Sequence, residues 1–412
     1  MSPLDPLALF TAANNHNPYP LLTQMREQAA VFQMGSARAF QVGSYAAVME
    51  AVKRPEDFSS HLNAMLVADQ QQVSVFDLKA QGAVSQVIAN ADAPDHAVHR
   101  RLLMPSVKAS RLAQLESKIR AFAEQRLKGQ STESWDICSE FSEPISAMIV
   151  MELLAIPAHE LENVQRWAMM GGDFLAGDLD PQRLQTVFEE TTALRTFLSE
   201  HLKRIQIADD EAPPSITQSL KRAVEEHQIS EDDAVGILIV MFGAAGESTA
   251  ALVASCIHYL ASHEQVQAYL RAAPQHVPAF IEEIARLESP FKFHYRSVLK
   301  DTELAGQALR EGDLLMLSWA AANRDPAAFD APDQLRLSRT ASERHLGFGQ
   351  GIHFCLGAAL ARMEARIAIE TLLSKSPGFC LAGDSSGEKT ARYADSIFVR
   401  RLECCQIRSR AV

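Results

Sequence analysis

The sequence predicts a mainly α fold, a helical body carrying small β-sheets and closed as a single large domain over residues 1–412. Three observations predict it. Apolar residues recur at spacings of three and four through most of the first three quarters of the chain, strand-like runs are few and short, and no linker or fixed-period repeat divides the 412 residues. A composition of 47% hydrophobic and 22% charged residues supplies the core that such a fold needs.

In chain order, the first strand-like run is 39–42, where apolar and polar residues mix over four positions. Residues 59–90, with a Gln70-Gln-Gln run, read as a long loop. Helical spacing marks 111–127 and 182–205, and a long helix is expected over about 232–260. Two further strands are expected at 296–298 and 314–317. A second loop-like stretch, 323–346, is broken by Asp and Pro clusters, and a last strand is expected at 397–402.

The formal charge of -12 makes the overall field repel phosphate backbones and anionic lipid, so nucleic acid is not an expected partner. Six cysteines (Cys138, Cys256, Cys355, Cys380, Cys404, Cys405) lack the spacing of a disulfide framework, which fits a reducing compartment. Met1-Ser-Pro-Leu-Asp-Pro carries no basic segment ahead of an apolar one, and the longest apolar run, 235–246, stops at Glu247, short of the roughly 20 residues that span a bilayer. A cytoplasmic protein, not attached to a membrane, is the expectation.

The densest local signal is Phe348-Gly-Gln-Gly-Ile-His-Phe-Cys-Leu-Gly357, followed at once by a helical pattern. Cys355 thus stands at a helix N-terminus, where free N–H groups and the dipole favour the thiolate that binds metals. Gly349, Gly351 and Gly357 permit turns that side chains obstruct, and let backbone lie against a flat ring. A solitary cysteine is more often a small core residue. A dinucleotide loop is a poor reading, because Phe354 sits where the third glycine belongs, and His353 with Cys355 finds no second pair at zinc spacing.

This segment resembles the haem-binding signature of the cytochrome P450 family, Phe-Gly-x-Gly-x-His-x-Cys-x-Gly, at every fixed position. The resemblance implies the cytochrome P450 fold and haem b, with Cys355 as the proximal iron ligand, His353 bonded to a haem propionate and Phe348 packed beside the sulfur. Other signatures follow in order. Glu283-Ile-Ala-Arg286 places a carboxylate and a guanidinium one helical turn apart and resembles the family's structural Glu-x-x-Arg pair, with Arg339 as its third member. His96 and Arg100, again one turn apart, resemble propionate contacts, as does Arg296.

Gly243-Ala-Ala-Gly-Glu-Ser-Thr249 resembles the family's Ala-Gly-x-Glu-Thr-Thr motif, which relays protons to bound oxygen, so the implied catalytic residues are Glu247, Ser248 and Thr249. Aligned on Glu247, Ala245 replaces the usual glycine and Ser248 the first threonine. A register shifted by one keeps Ala245-Gly246 and makes Thr249 the alcohol. The small residues equally suit a close helix crossing with Glu247 at its solvent end.

By the same resemblance the substrate pocket draws on Val240, Gly243, Ala244, Phe293, Ile397 and Phe398, together with the 62–76 loop, Phe174, Leu175 and Lys292. The implied function is a monooxygenase that activates O2 to hydroxylate or epoxidise a small, mostly apolar organic molecule. With no flavin or iron–sulfur domain in the chain, electrons are expected from a ferredoxin and its NAD(P)H-dependent reductase, docking near Arg101, Lys108, Arg111 and Arg344. Alternatives left open are a non-oxygenating haem-thiolate sensor or binding protein and a peroxide-driven peroxygenase.

Overall fold

The computed structural model describes residues 4–69, 71–80, 84–130, 134–177, 180–207, 214–339, 344–383 and 390–410. Parts of the two loop-like stretches, Gln70, 81–83 and 340–343, lie outside these residues.

The long central helix begins at a capping box, in which Ser230 and Asp233 bond each other's backbone N–H, with Glu231, Asp232 and Asp233 in the first turn where the helix dipole favours acid. It runs Glu231–Met241, widens to π-helical pairing over Phe242–Glu247, and resumes as Ser248–Ser262. A π-turn inside an α-helix often marks a functional site. Taken whole, Glu231–Ser262 is long and apolar enough to cross a bilayer, which a reading that stops at Glu247 does not reveal. Yet 61% of its most apolar stretch is buried in the fold, so this is the apolarity of a core helix.

Ala358–Lys375, the helix that follows Cys355, packs on this core helix, and Ala109–Leu127, which buries Leu112, Leu115, Ile119 and Ala123 at spacings of three and four, packs on Ala358–Lys375 in turn. Pro181–Arg204 lies close to the expected 182–205. One five-stranded sheet has the order Val31–Gln33, Ala39–Val42, Leu314–Ser318, Phe293–Val298, Phe58–Ser59. Its centre pairs 314–317 in parallel with 39–42 and antiparallel with Phe293–Val298, which starts three residues before the expected 296.

Two expectations are corrected. The 59–90 stretch contains a hairpin, Ala64–Ala68 paired with Val73–Asp77, and Asp69 Oδ1 accepts the N–H of both Gln71 and Gln72 in its turn. The last strand is Leu402–Ser409, not 397–402. Ladder pairing fails earlier because the backbone donors are taken: Ser396 Oγ accepts from Phe398 and Val399, Ala176 O from Ile397, and Pro290 O from Arg400. The described part of 323–346 forms no helix of more than a turn and no strand. It is organised by Arg286, whose guanidinium bonds Glu283 (2.8 and 3.0 Å) and the carbonyls of Asn323 (2.9 Å), Pro332 (2.5 Å) and Gln334 (3.0 Å). Arg339 joins at 3.0 Å from Glu283.

On the helix after Cys355, Glu364 is buried, its Oε1 accepting from Ser146 Oγ at 2.6 Å while Oε2 has no partner among the described residues. Burial pushes this carboxyl up to about 8, against an ordinary 4.5, with the Ser146 bond only partly offsetting it. A raised carboxyl is neutral in the fold and ionised in the unfolded chain at pH 7, so it costs nothing below about pH 4.5 and progressively more up to about pH 8. The penalty at pH 7 is about 3 kcal/mol. Glu364→Gln therefore flattens the fall in melting temperature between pH 5 and pH 8. Parallel melting curves for both proteins across that range would refute the assignment.

Candidate active site

Two glycines shape the loop that presents Cys355. Gly349 and Gly351 stand at φ of 66° and 74°, the left-handed region that other residues enter at a cost, and a Cβ on Gly351 would come within 2.7 Å of the Val52 carbonyl oxygen. Gly357, expected to form a third special turn, has an ordinary φ of -85°, and its N–H bonds the cysteine sulfur instead. The Cys355 N–H donates to Phe348 O at 2.9 Å, and the Arg362 guanidinium stands 4.3 Å over the Phe348 ring.

The Gly357 N–H at the helix end favours the Cys355 thiolate, as the sequence reading expects, but burial outweighs it. Burial pushes the thiol above its ordinary range, and the Gly357 N–H, Arg362 and Arg100 only partly oppose this. A cation coordinated by this sulfur would favour the thiolate further.

Cys355 opens onto a cavity of about 230 Å³, walled on one side by the long helix and on the other by the Cys355 loop. Eleven of the expected residues line it: His96, Arg100, Val240, Ala244, Ser248, Thr249, Arg296, Phe348, His353, Cys355 and Gly357. The His96 and His353 rings lie 4.1 Å apart, and the Nε2 atom of each is buried with no partner among the described residues. Burial, with Arg296 and His96 nearby, pushes His353 down to about 2, so its ring is neutral. Arg296 is buried, its guanidinium brought to about 10 by desolvation, and among the described residues it bonds only Tyr295 O, at 2.7 Å. Two orphaned imidazole nitrogens and an under-bonded buried cation are what the carboxylates of a haem would complete. The residues present fit that group.

Several expected residues lie outside the cavity lining. Strand alternation turns His294 and Arg296 toward it, while Phe293 packs on Tyr295 (4.9 Å) and Phe398 (5.4 Å) in a separate core cluster that also holds Ile397. Phe291, His294 and Trp319 line the wall instead, and the two-residue period back from Arg296 already points to His294. Phe174, Leu175 and the hairpin residues Leu62, Met65 and Val73 belong to that same cluster, and Lys292 Nζ donates to Ser396 O at 2.5 Å. Gly243 is taken up by helix packing: a Cβ on Gly171 would meet its Cα at 2.9 Å, just as a Cβ on Gly246 would meet Ala168.

Glu247 also lies outside the lining. Its carboxylate is fully buried rather than at a solvent end, and it is turned away from the cavity, accepting from the Gly172 N–H at 2.6 Å and pairing with Arg401 Nε at 3.0 Å. Burial pushes it up to about 7, with Arg401 pulling the other way. Ser248, one residue on, donates its hydroxyl to Ala244 O at 2.6 Å on the cavity side.

A cysteine opening onto a slot whose rim carries orphaned imidazole and guanidinium donors, beside a helix widened at an alcohol, defines a haem-thiolate protein. The family model described as Cytochrome P450 matches residues 9–376. Cytochrome P450 144 of Mycobacterium tuberculosis is 34% identical over 97% of this chain and 90% of its own. Vitamin D(3) 25-hydroxylase of Pseudonocardia autotrophica is 29% identical over 96% and 94%. Among solved structures, CYP109E1 of Bacillus megaterium in complex with testosterone is 27% identical at a TM-score of 0.81, covering 97% of this chain and all of that one. The chain belongs to the cytochrome P450 family, the bacterial haem-thiolate monooxygenases whose cofactor is haem b.

Proposed function

We propose that this chain works in the cytoplasm, adding one oxygen atom of O2 to a C–H bond or double bond of a small, mostly apolar substrate, with electrons from a separate ferredoxin and its NAD(P)H-dependent reductase. One observation carries the reading: Cys355 and Ser248 share a cavity whose further walls, including Ile88, Val240 and Phe291, are apolar. Haem b on Cys355 supplies the oxygen-activating chemistry.

The chain's own residues do the rest. His96, Arg100, Arg296 and His353 would hold the two carboxylates, and Phe348 with Gly357 keeps the sulfur in place. Ser248 is the alcohol that hands on a proton inside the cavity, with Thr249 beside it. Glu247 stores a proton near neutral pH behind the helix and reaches Ser248 only by leaving Arg401. Arg101 and Lys108 are exposed beside Met104, Ile352 and Phe354, a mixed cationic and apolar rim around the Cys355 loop that suits an acidic redox protein.

A ligand screen by spin-state shift of the haem band tests the substrate class, with testosterone and vitamin D3 in the panel because they are named with two relatives. Absence of any shift across apolar ligands would sink the reading. Ser248→Ala raises hydrogen peroxide formed per NADPH consumed several-fold, and Thr249→Ala raises it less, because Ser248 is held at the cavity by Ala244. The reverse order would move the relay to Thr249. Turnover with peroxide alone, at rates matching the ferredoxin system, would favour a peroxygenase.

A further inference from the structure

His294 stands in the cavity wall, boxed by aromatic rings: Phe291 and Phe398 meet it edge-on at 5.7 Å, and Trp319 is 5.9 Å away. Its Nδ1 is 2.7 Å from Trp319 Nε1. An indole N–H can only donate, so Nδ1 must be the unprotonated acceptor, and in a neutral imidazole the hydrogen then sits on Nε2. The ring is neutral, since burial and the nearby Arg296 cation hold it at about 3. Nε2–H has no acceptor among the described residues.

We propose that the Nε2–H of His294 donates a hydrogen bond to an oxygen acceptor, a ketone or ester carbonyl, on the substrate. The inference rests on the monooxygenase reading above and narrows it to apolar molecules that carry such an oxygen. A fixed tautomer matters here. Trp319 prevents the ring from offering a bare nitrogen, so the wall presents one donor of constant sense to whatever enters. A neutral donor in an aromatic box suits a neutral carbonyl, while the haem carboxylates already have His96, Arg100, Arg296 and His353 available.

The test is spin-state titration of the haem-loaded protein with a pair of equal shape, α-tetralone and tetralin. One neutral hydrogen bond favours the ketone by roughly 3- to 10-fold in Kd. His294→Phe brings the ratio to near one by weakening the ketone alone. His294→Gln keeps the preference, because its amide can accept from Trp319 on oxygen and donate from nitrogen. A ratio near one in the unaltered protein overturns the proposal without any variant. So does an unchanged ratio in His294→Phe, whether or not that variant loses haem faster to an apo-haem acceptor; faster loss would assign the donor to the macrocycle's carboxylates. Tetralin shifts the spin state in all these cases if the monooxygenase reading holds, so its failure is seen separately, as no shift with either ligand.

Discussion

Arg286→Leu prevents this chain from reaching a stable fold. The guanidinium is 1% exposed, and it bonds both oxygens of Glu283 and three backbone carbonyls of the segment that leads to the Cys355 loop. Removing it strands a 4%-exposed carboxylate with Arg339 and the Arg336 N–H as its remaining partners, takes from the carbonyls of Asn323 and Pro332 their bond to the guanidinium, and leaves Gln334 O to Arg339 at 3.3 Å. Breaking one buried pair costs about 3–5 kcal/mol and each unsatisfied carbonyl about 1–3 kcal/mol more, against a total stability of about 5–15 kcal/mol. Soluble yield and haem uptake measure the result. Arg204→Ala, which removes an exposed pair with Glu200 on a surface helix, is the matched control and leaves both unchanged. A folded, haem-replete Arg286→Leu protein would show that the segment after residue 323 is held by something other than this network.

Cys355→Ser has the second large effect, confined to the iron. The residue makes its backbone bond to Phe348 O whatever its side chain, and serine is slightly smaller, so the loop between Gly349 and Gly357 keeps its course. What is lost is the sulfur that the Gly357 N–H, Arg100 and Arg362 surround. The reduced carbon monoxide complex of the variant loses the thiolate-type absorption band, and monooxygenase turnover falls to background, while the unfolding free energy of the haem-free protein stays within about 1 kcal/mol of the original. An unchanged carbon monoxide spectrum would mean that another residue binds the iron.

The two experiments probe features that were legible to different degrees. Cys355, His353 and Phe348 could be found from ten consecutive residues, because a loop that must turn twice in the left-handed region and present a sulfur beside a flat ring has few sequences that serve it. His96, Arg100 and Arg296 were found by order along the chain, and all three reach the same cavity. Glu283 and Arg286 could be paired from helical spacing, but their reach to Pro332 and Gln334, nearly fifty residues on, could not. The pocket wall fared less well. Phe293 and Phe398 are as apolar as Phe291, and apolarity alone does not say which side of a strand faces a cavity and which faces the core.

By itself, then, the sequence determined the helical body, the long helix near 232–260, the Cys355 loop and the order of the charged residues that precede it. These are local matters of periodicity, turn chemistry and spacing, readable within a few turns of chain. Only the tertiary structure decided that residues 397–401 spend their backbone donors outside a sheet, that Trp319 fixes the tautomer of His294, and that Glu247 turns behind its helix to Gly172 and Arg401. The last two depend on partners 25, 75 and 154 residues away. A side chain one position along a helix turns by about 100°, so whether Glu247 or Ser248 meets the cavity is set by which neighbour packs on each face, and that neighbour comes from elsewhere in the chain.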